Sequence, residues 1–416
     1  MLLLELPEDV LFEIFSRISF ERLSKIIPVC RYLRNFIEKH PLLASKFPHH
    51  DGINYVDPSL HLLLDYGHEG VCYPYTSLVS NFAKRSKVKG FRLHNPLDKR
   101  GSTRSEIRTL GSCNGLLLQS AVGGKKLLIW NPSTKGHKLV SPVEFPPPID
   151  PHQQPLKCWK RVYGLGCSAN DDQDYKVILI KYVGESCSST DLESEVGIYS
   201  LRSGSWKRIE GLCCPYLLYP RDQSIGICYP NSWEVARIDR ICDDIFFHGT
   251  LHWIGFEWLG FMYSTIIVAF DFETERFKEM PLSEKYQEEI QQDYTNYKSL
   301  SFGVWKGCLS LLRNLGNECY DIIVMKEYGV KESWCKLYAI SETVARNVCN
   351  IKLVCFTSND KIVLLFDYQY LSLYDPISCT ANKLQVCGDI PHHYCHTTKK
   401  LYVEPYRKNL LMPLIC

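Results

Sequence analysis

Three groupings in this 416-residue chain have residue types and spacings that could do chemistry. Gly164-Leu165-Gly166-Cys167-Ser168-Ala169 fits G-x-G-x-x-A, in which glycines let a backbone approach a pyrophosphate held at a helix N-terminus. The polar run Asn170-Asp171-Asp172-Gln173-Asp174 that follows predicts a turn into another strand, so no helix end is available for phosphate. Asp171, Asp172 and Asp174 alternate like calcium ligands but lack the glycine and distal glutamate of a calcium loop. His392-His393-Tyr394-Cys395-His396 offers imidazole and thiolate ligands, yet no second ligand pair stands at a metal-site spacing. No G-x-S-x-G elbow is present. These residues point away from catalysis, cofactor and metal, and toward recognition.

Composition supports that direction. The chain is 45% hydrophobic and 23% charged, an ordinary globular balance, and its net charge of +2 argues against a nucleic-acid polyanion as the main partner. No apolar run reaches the length of a membrane span, and the opening MLLLEL has no basic leader, so neither a membrane segment nor a secretory signal is expected. The nineteen cysteines are odd in number and never spaced C-x-x-C. They read as reduced core residues in a cytoplasmic or nuclear protein.

The elements fall into two kinds. Residues 6–37, LPEDVLFEIFSRISFERLSKIIPVCRYLRNFI, predict three short helices. Pro7 suits a first helical position, and Glu8 and Asp9 complement the positive end of the first helix. Val10, Ile14 and Ile18 recur every four residues beside Leu11 and Phe15, which makes a wide apolar face. Ser19 can cap a second helix carrying Leu23, Ile26 and Ile27, and Pro28 precedes a third with Val29, Leu33, Phe36 and Ile37. A unit this small cannot bury all of that surface alone, so a partner is implied.

This stretch resembles the F-box family through Leu6-Pro7-Glu8-Asp9, Ile14, Arg17, Val29-Cys30-Arg31, Arg34 and Ile37, with Leu33 where the family usually has Trp and Ile18-Ser19 where a second Leu-Pro is common. The resemblance implies docking onto a Skp-type adaptor and, through it, a cullin ubiquitin ligase. The residues it places at the adaptor are Leu6, Pro7, Val10, Ile14, Leu23, Ile26 and Val29.

Beyond residue 45 the chain reads as β. Residues 46–105 form a connector with scattered strand-like pieces and a basic run between Lys84 and Arg108, read as a solvated face rather than a phosphate contact. From 106 to 405 a repeat dominates. Hairpins at 127–140, 196–209, 267–280, 321–340 and 371–386 are each preceded by a shorter strand pair, clearest at Ser112-Cys113-Asn114-Gly115, where Asn-Gly supplies a tight turn. Four antiparallel strands per unit at this period signify a β-propeller. Five complete units are visible, and Leu401-Tyr402-Val403-Glu404-Pro405-Tyr406 is expected to pair with strands before Arg108 and complete a sixth. Seven irregular units or an open array are the alternatives. The fold class is thus α plus all-β, with a terminal tail at 406–416.

GSCNGLLL, WNPSTK, DYKV, IYSLRSGSWK, GTLHWI, VAFDFETERF and VMKEYGVKESW resemble, in order, the plant F-box-associated interaction domain related to kelch-type propellers. The two resemblances imply a non-catalytic substrate receptor of an SCF-type ligase. The alternatives are a propeller enzyme or small-ligand receptor with its site in a central channel, and an F-box scaffold outside a ligase. Long insertions at 141–157, 211–233 and 281–298 are the expected target-binding segments, and Tyr216, Tyr219, Arg221, Tyr229 and Trp233 in the second are the expected anchors of an unidentified protein substrate.

Overall fold

A computed structural model describes residues 6–18, 32, 36, 60–65, 70–74, 88–89, 91–93, 96, 108–121, 126–141, 157–168, 174–184, 193–209, 244–258, 263–291, 300–315, 319–346, 348, 350–357, 359–384, 386–387 and 401–407. The chain divides into two compact units, Met1–Ser141 with Gln385–Cys416, and Pro142–Leu384.

In the first unit the helix Glu8–Arg17 is followed by two four-stranded antiparallel sheets. Pro7 is the N-cap rather than the first helical residue, and its carbonyl accepts the Leu11 N–H at 3.0 Å. The first sheet joins Leu60–Asp65, Gly70–Pro74 and Phe91–Leu93 to Tyr402–Arg407, which lies at its edge beside Leu60–Asp65. The C-terminal strand therefore pairs where the sequence predicted, and three strands of this sheet come from the stretch read as a connector. Pro405 fits an edge strand because it has no N–H to contribute to a ladder on its outer side. Arg108–Cys113, Leu116–Ala121, Lys126–Trp130 and His137–Val140 make the second sheet. Tyr406 is buried with Leu63, Leu117, Leu128 and Trp130, its hydroxyl 2.9 Å from Ser133 Oγ, and Ser112 Oγ donates to Glu404 Oε1 at 2.8 Å. A strand from the end of the chain is thus fixed to residues near its start by both packing and hydrogen bonds.

The second unit holds four more sheets of the same plan. The third is Lys157–Cys167, Tyr175–Gly184, Glu193–Ser200 and Ser205–Ile209; the fourth is Asp244–Phe247, Thr250–Trp258, Tyr263–Asp271 and Arg276–Met280. The fifth is Ser301–Trp305, Cys308–Asn314, Tyr320–Met325 and Trp334–Ile340; the sixth is Ile351–Phe356, Ile362–Phe366, Tyr370–Asp375 and Thr380–Lys383. Central strands are apolar along their length: Val177, Ile178, Leu179 and Ile180 form an unbroken run at 0% exposure, and Ile178 and Ile180 pack in one cluster with Leu251, Trp253 and Phe270 of the fourth sheet. Last strands are half exposed and carry Lys207, Arg208, Arg276, Lys278, Lys336 and Lys383, charges that discourage edge-to-edge pairing.

Sheet-to-sheet packing explains the glycine pattern. A Cβ on Gly164 would lie 2.1 Å from Leu251 Cδ2, and one on Gly166 would lie 2.1 Å from the Phe272 ring. Both glycines stand inside the strand Lys157–Cys167, where the apolar faces of the third and fourth sheets meet. They serve close packing, and the next described element after the G-x-G-x-x-A match is the strand Tyr175–Gly184. Two further expectations are corrected. The segment at 281–298 contains the helix Glu284–Gln291, whose Tyr286 is buried against the fourth and fifth sheets with Leu282. Cys113, Cys167, Cys308, Cys319, Cys335, Cys355 and Cys379 are free, but Cys319 and Cys379 are exposed rather than core. His252 lies on the second strand of the fourth sheet and is fully buried.

Candidate interaction sites

On the helix Glu8–Arg17, Leu11 and Phe15 face inward at 0% and 7% exposure, and the Phe15 ring meets Phe36 edge-on at 5.4 Å. Beside that seam Val10, one residue before Leu11 and about 100° round the helix from it, is 40% exposed, and Leu6, which precedes the helix, is 37% exposed, with Pro7 exposed and Ile14 partly buried. Leu11 and Phe15, at i and i+4, are therefore sealed while the neighbouring Val10 is not. Arg17 bridges Glu13 one turn earlier, an exposed pair that adds little stability. The other expected contact residues of this stretch, Leu23, Ile26 and Val29, lie outside the described residues, as do Tyr216, Tyr219, Arg221, Tyr229 and Trp233.

The sheet region shows two side-chain constellations that sequence reading did not find. Arg313 and Asp321 form a buried two-pronged ion pair, with Nε to Oδ1 and the terminal nitrogen to Oδ2 both at 2.8 Å. The Tyr286 ring lies 4.5 Å from the guanidinium carbon, and Lys336 reaches Asp321 at 3.5 Å. The second gathers around Tyr328, on the long turn of the fifth sheet. Its hydroxyl donates to His252 Nε2 at 2.7 Å, since Nδ1 must carry the proton it gives to the Ile245 carbonyl at 3.3 Å. Burial depresses the His252 pKa to about 4, opposed by the Ile245 bond and assisted by Lys278 and His248. His248 stacks on the Tyr328 ring, and Lys278 approaches it at 5.8 Å. Residues 80 apart in sequence converge here, and only sheet stacking brings them together.

Every described chemical candidate from the sequence has a structural explanation. Asp174 accepts from Ser200 Oγ at 2.8 Å and from the Arg202 N–H at 3.2 Å, closing a turn. Asp171, Asp172, His392, His393, Cys395 and His396 lie outside the described residues. Among the described residues no group of three or more His, Cys, Asp or Glu could hold a metal ion, and no helix is long and apolar enough to cross a membrane.

A family model described as the F-box associated beta propeller domain matches residues 76–402, and a model of the F-box domain matches residues 3–45. The chain belongs to the F-box associated β-propeller family. Its similar proteins from Arabidopsis thaliana include F-box protein At3g07870, 26% identical over 89% of this chain and 85% of the relative. F-box protein CPR1 is 26% identical over 86% and 79% respectively. F-box/kelch-repeat protein At3g23880 is 25% identical over 57% and 54%. The helix Glu8–Arg17 therefore lies within the F-box match, and the second to sixth sheets lie within the propeller-domain match.

Proposed function

We propose that this chain is the substrate-recognition subunit of an SCF-type cullin ubiquitin ligase. The F-box holds a Skp-type adaptor through Leu6, Pro7, Val10, Ile14, Leu23, Ile26 and Val29. A propeller of six blades holds a protein target, with Tyr216, Tyr219, Arg221, Tyr229 and Trp233 among its contacts. The subunit is non-catalytic and acts in the cytoplasm or nucleus. Tethering raises the target's effective concentration at the ubiquitin-bearing enzyme, and proximity does the rest.

The observation that carries this reading is the contrast between the packed seam of the first helix, Leu11 and Phe15, and the exposed apolar side chains of Val10 on that helix and Leu6 just before it. An apolar ridge beside a satisfied seam is surface reserved for a partner. The experiment is a pull-down of purified Skp-type adaptor by the full chain and by Val10→Asp with Ile14→Asp. Capture by the wild type and its loss in the double variant is the expected result; wild-type capture by the variant removes the adaptor reading. In parallel, deleting residues 1–50 in cells should make targets accumulate, as read by quantitative mass spectrometry.

A further inference from the structure

Two cations drawn into the sheets have an anion beside them: Arg313 is held by Asp321 in the two-pronged pair described above, and Lys176 meets Glu275 at 2.9 Å. Arg161 differs. Its Nε is buried with no hydrogen-bond partner, and among the described residues no ion pair reaches its guanidinium. A charge withdrawn from water without a counter-charge or hydrogen bonds costs free energy that the rest of the fold must offset.

The register of the third sheet says what stands around it. On Lys157–Cys167 the neighbours Val162 and Gly164 face the fourth sheet, so Arg161 lies on the face turned the other way. Lys181, 8% exposed, is directly opposite Arg161, and Glu195 is directly opposite Lys181 on the third strand. Like charges directly across a ladder repel. The acid of this row is also engaged from the last strand, where Arg208 reaches Glu195 Oε1 at 3.3 Å. Glu193, the next acid on the same face, is exposed and stands opposite Val183. Three cations thus meet two carboxylates, and Arg161 is the cation left over. Its strand is the edge of the sheet, so no further strand of that sheet covers its far side, and the residue is partly exposed.

We propose that Arg161, with Lys181 beside it, forms a binding site for a small oxyanion, a phosphate or carboxylate group. A guanidinium meets either group with two parallel N–H bonds, and next to a buried lysine such an anion answers two charges at once. The site lies on the first two strands of the third sheet and rests on neither the adaptor nor the protein target.

The test is thermal melting of the purified full chain at constant ionic strength, with chloride exchanged stepwise for inorganic phosphate in one series and for citrate in another, both up to about 10 mM. One or both series should raise the melting temperature saturably by at least about 2 °C, and which of them does so assigns phosphate or carboxylate. General salting-out by these anions rises without saturating and ignores the substitution. Arg161→Met should abolish the saturable rise and, in chloride, melt no lower than the wild type, since an unpaired charge has left the interior. Arg161→Lys keeps the charge without the fork and should raise the half-saturating concentration at least about fivefold. Arg276→Met, at an exposed position on the last strand of the fourth sheet, should keep the wild-type response. The inference is overturned if neither series saturates, if the rise survives in Arg161→Met, if half-saturation is unchanged in Arg161→Lys, or if Arg161→Met melts below the wild type in chloride, because the fold would then already supply the counter-charge.

Discussion

The first helix and the stacked sheets treat apolar surface in opposite ways. Along Glu8–Arg17 Leu11 and Phe15 are sealed, Phe12 and Ile14 are half-buried, and Val10 stays in water at 40% exposure beside Leu11 at 0%. In the sheets even charged groups are sealed if paired, as with Arg313 and Asp321 at 1% and 3%. On the proposed function, the difference separates surface held back for the adaptor from surface already spent on the fold. It also says where substitutions should register as lost binding and where as lost stability.

The sheets should give the largest stability effect at Arg313. Arg313→Ala leaves the buried Asp321 carboxylate with only Lys336, 3.5 Å away and half exposed, and removes the cation from the Tyr286 face. A loss of about 3–5 kcal/mol is expected, measured by denaturant unfolding. Replacing both members, Arg313→Met with Asp321→Leu, should recover most of it, since a buried pair is worth little against apolar packing of similar volume. Equal losses in the single and double variants would show that the pair itself, rather than its unpaired remnant, holds the sheet.

Next comes pH. His252 is buried neutral with its pKa lowered to about 4 from 6.5. Between those values the unfolded chain takes up a proton that the folded chain refuses. The contribution is therefore full above about pH 6.5 and falls away toward pH 4, a loss of up to about 3 kcal/mol. The charged and titratable groups facing the ring are Lys278 and His248, with Tyr328 as its hydroxyl partner. His252→Gln should flatten the stability profile over that window while lowering its plateau. A profile that keeps its slope assigns the acid sensitivity to other groups.

How much of this was legible beforehand differs by feature and for physical reasons. Asn114-Gly115, His248-Gly249 and Lys306-Gly307 announced their hairpins because two left-handed residues restrict composition at the turn itself. The pairing of Tyr402–Arg407 with Leu60–Asp65 was legible as a strand lacking local partners. The helix Glu284–Gln291 was missed because its one aromatic residue, the buried Tyr286, stands amid a polar run read as loop. Tyr328 with His252, and Arg313 with Tyr286, were invisible because their neighbourhoods arise from sheets stacking, which no sequence period encodes. Gly164 and Gly166 were ambiguous: the same residues suit a phosphate loop and a close strand contact, and only the neighbours Leu251 and Phe272 decide.

Those glycines give a smaller test of the same contrast. Gly166→Ala forces its Cβ into the Phe272 ring, and the ring can yield only by disturbing Phe246 and Phe270, which it meets at 6.0 and 5.1 Å. Over-packing of this kind costs about 1–3 kcal/mol. The melting temperature should fall while adaptor capture is unchanged, because the F-box helix belongs to the other compact unit. A variant that melts like the wild type would mean the sheets have slack where their faces meet.

The smallest stability change, and the sharpest form of the comparison, is expected on the helix ridge. Val10 already has 40% of its surface in water, so Val10→Ala removes little that folding had buried. Its effect on unfolding should stay within about 0.5 kcal/mol, partly offset by the better helix propensity of alanine. Leu11→Ala, one residue along and fully buried, should cost about 2–5 kcal/mol. Adaptor affinity should reverse that order at the level of direct contact. Val10→Ala should weaken it without unfolding the helix, whereas Leu11→Ala should weaken it only in proportion to the unfolded fraction, followed by far-UV circular dichroism of the F-box. If Val10→Ala instead destabilises as much as Leu11→Ala, the ridge is part of the core, and the division between sealed and reserved apolar surface does not hold.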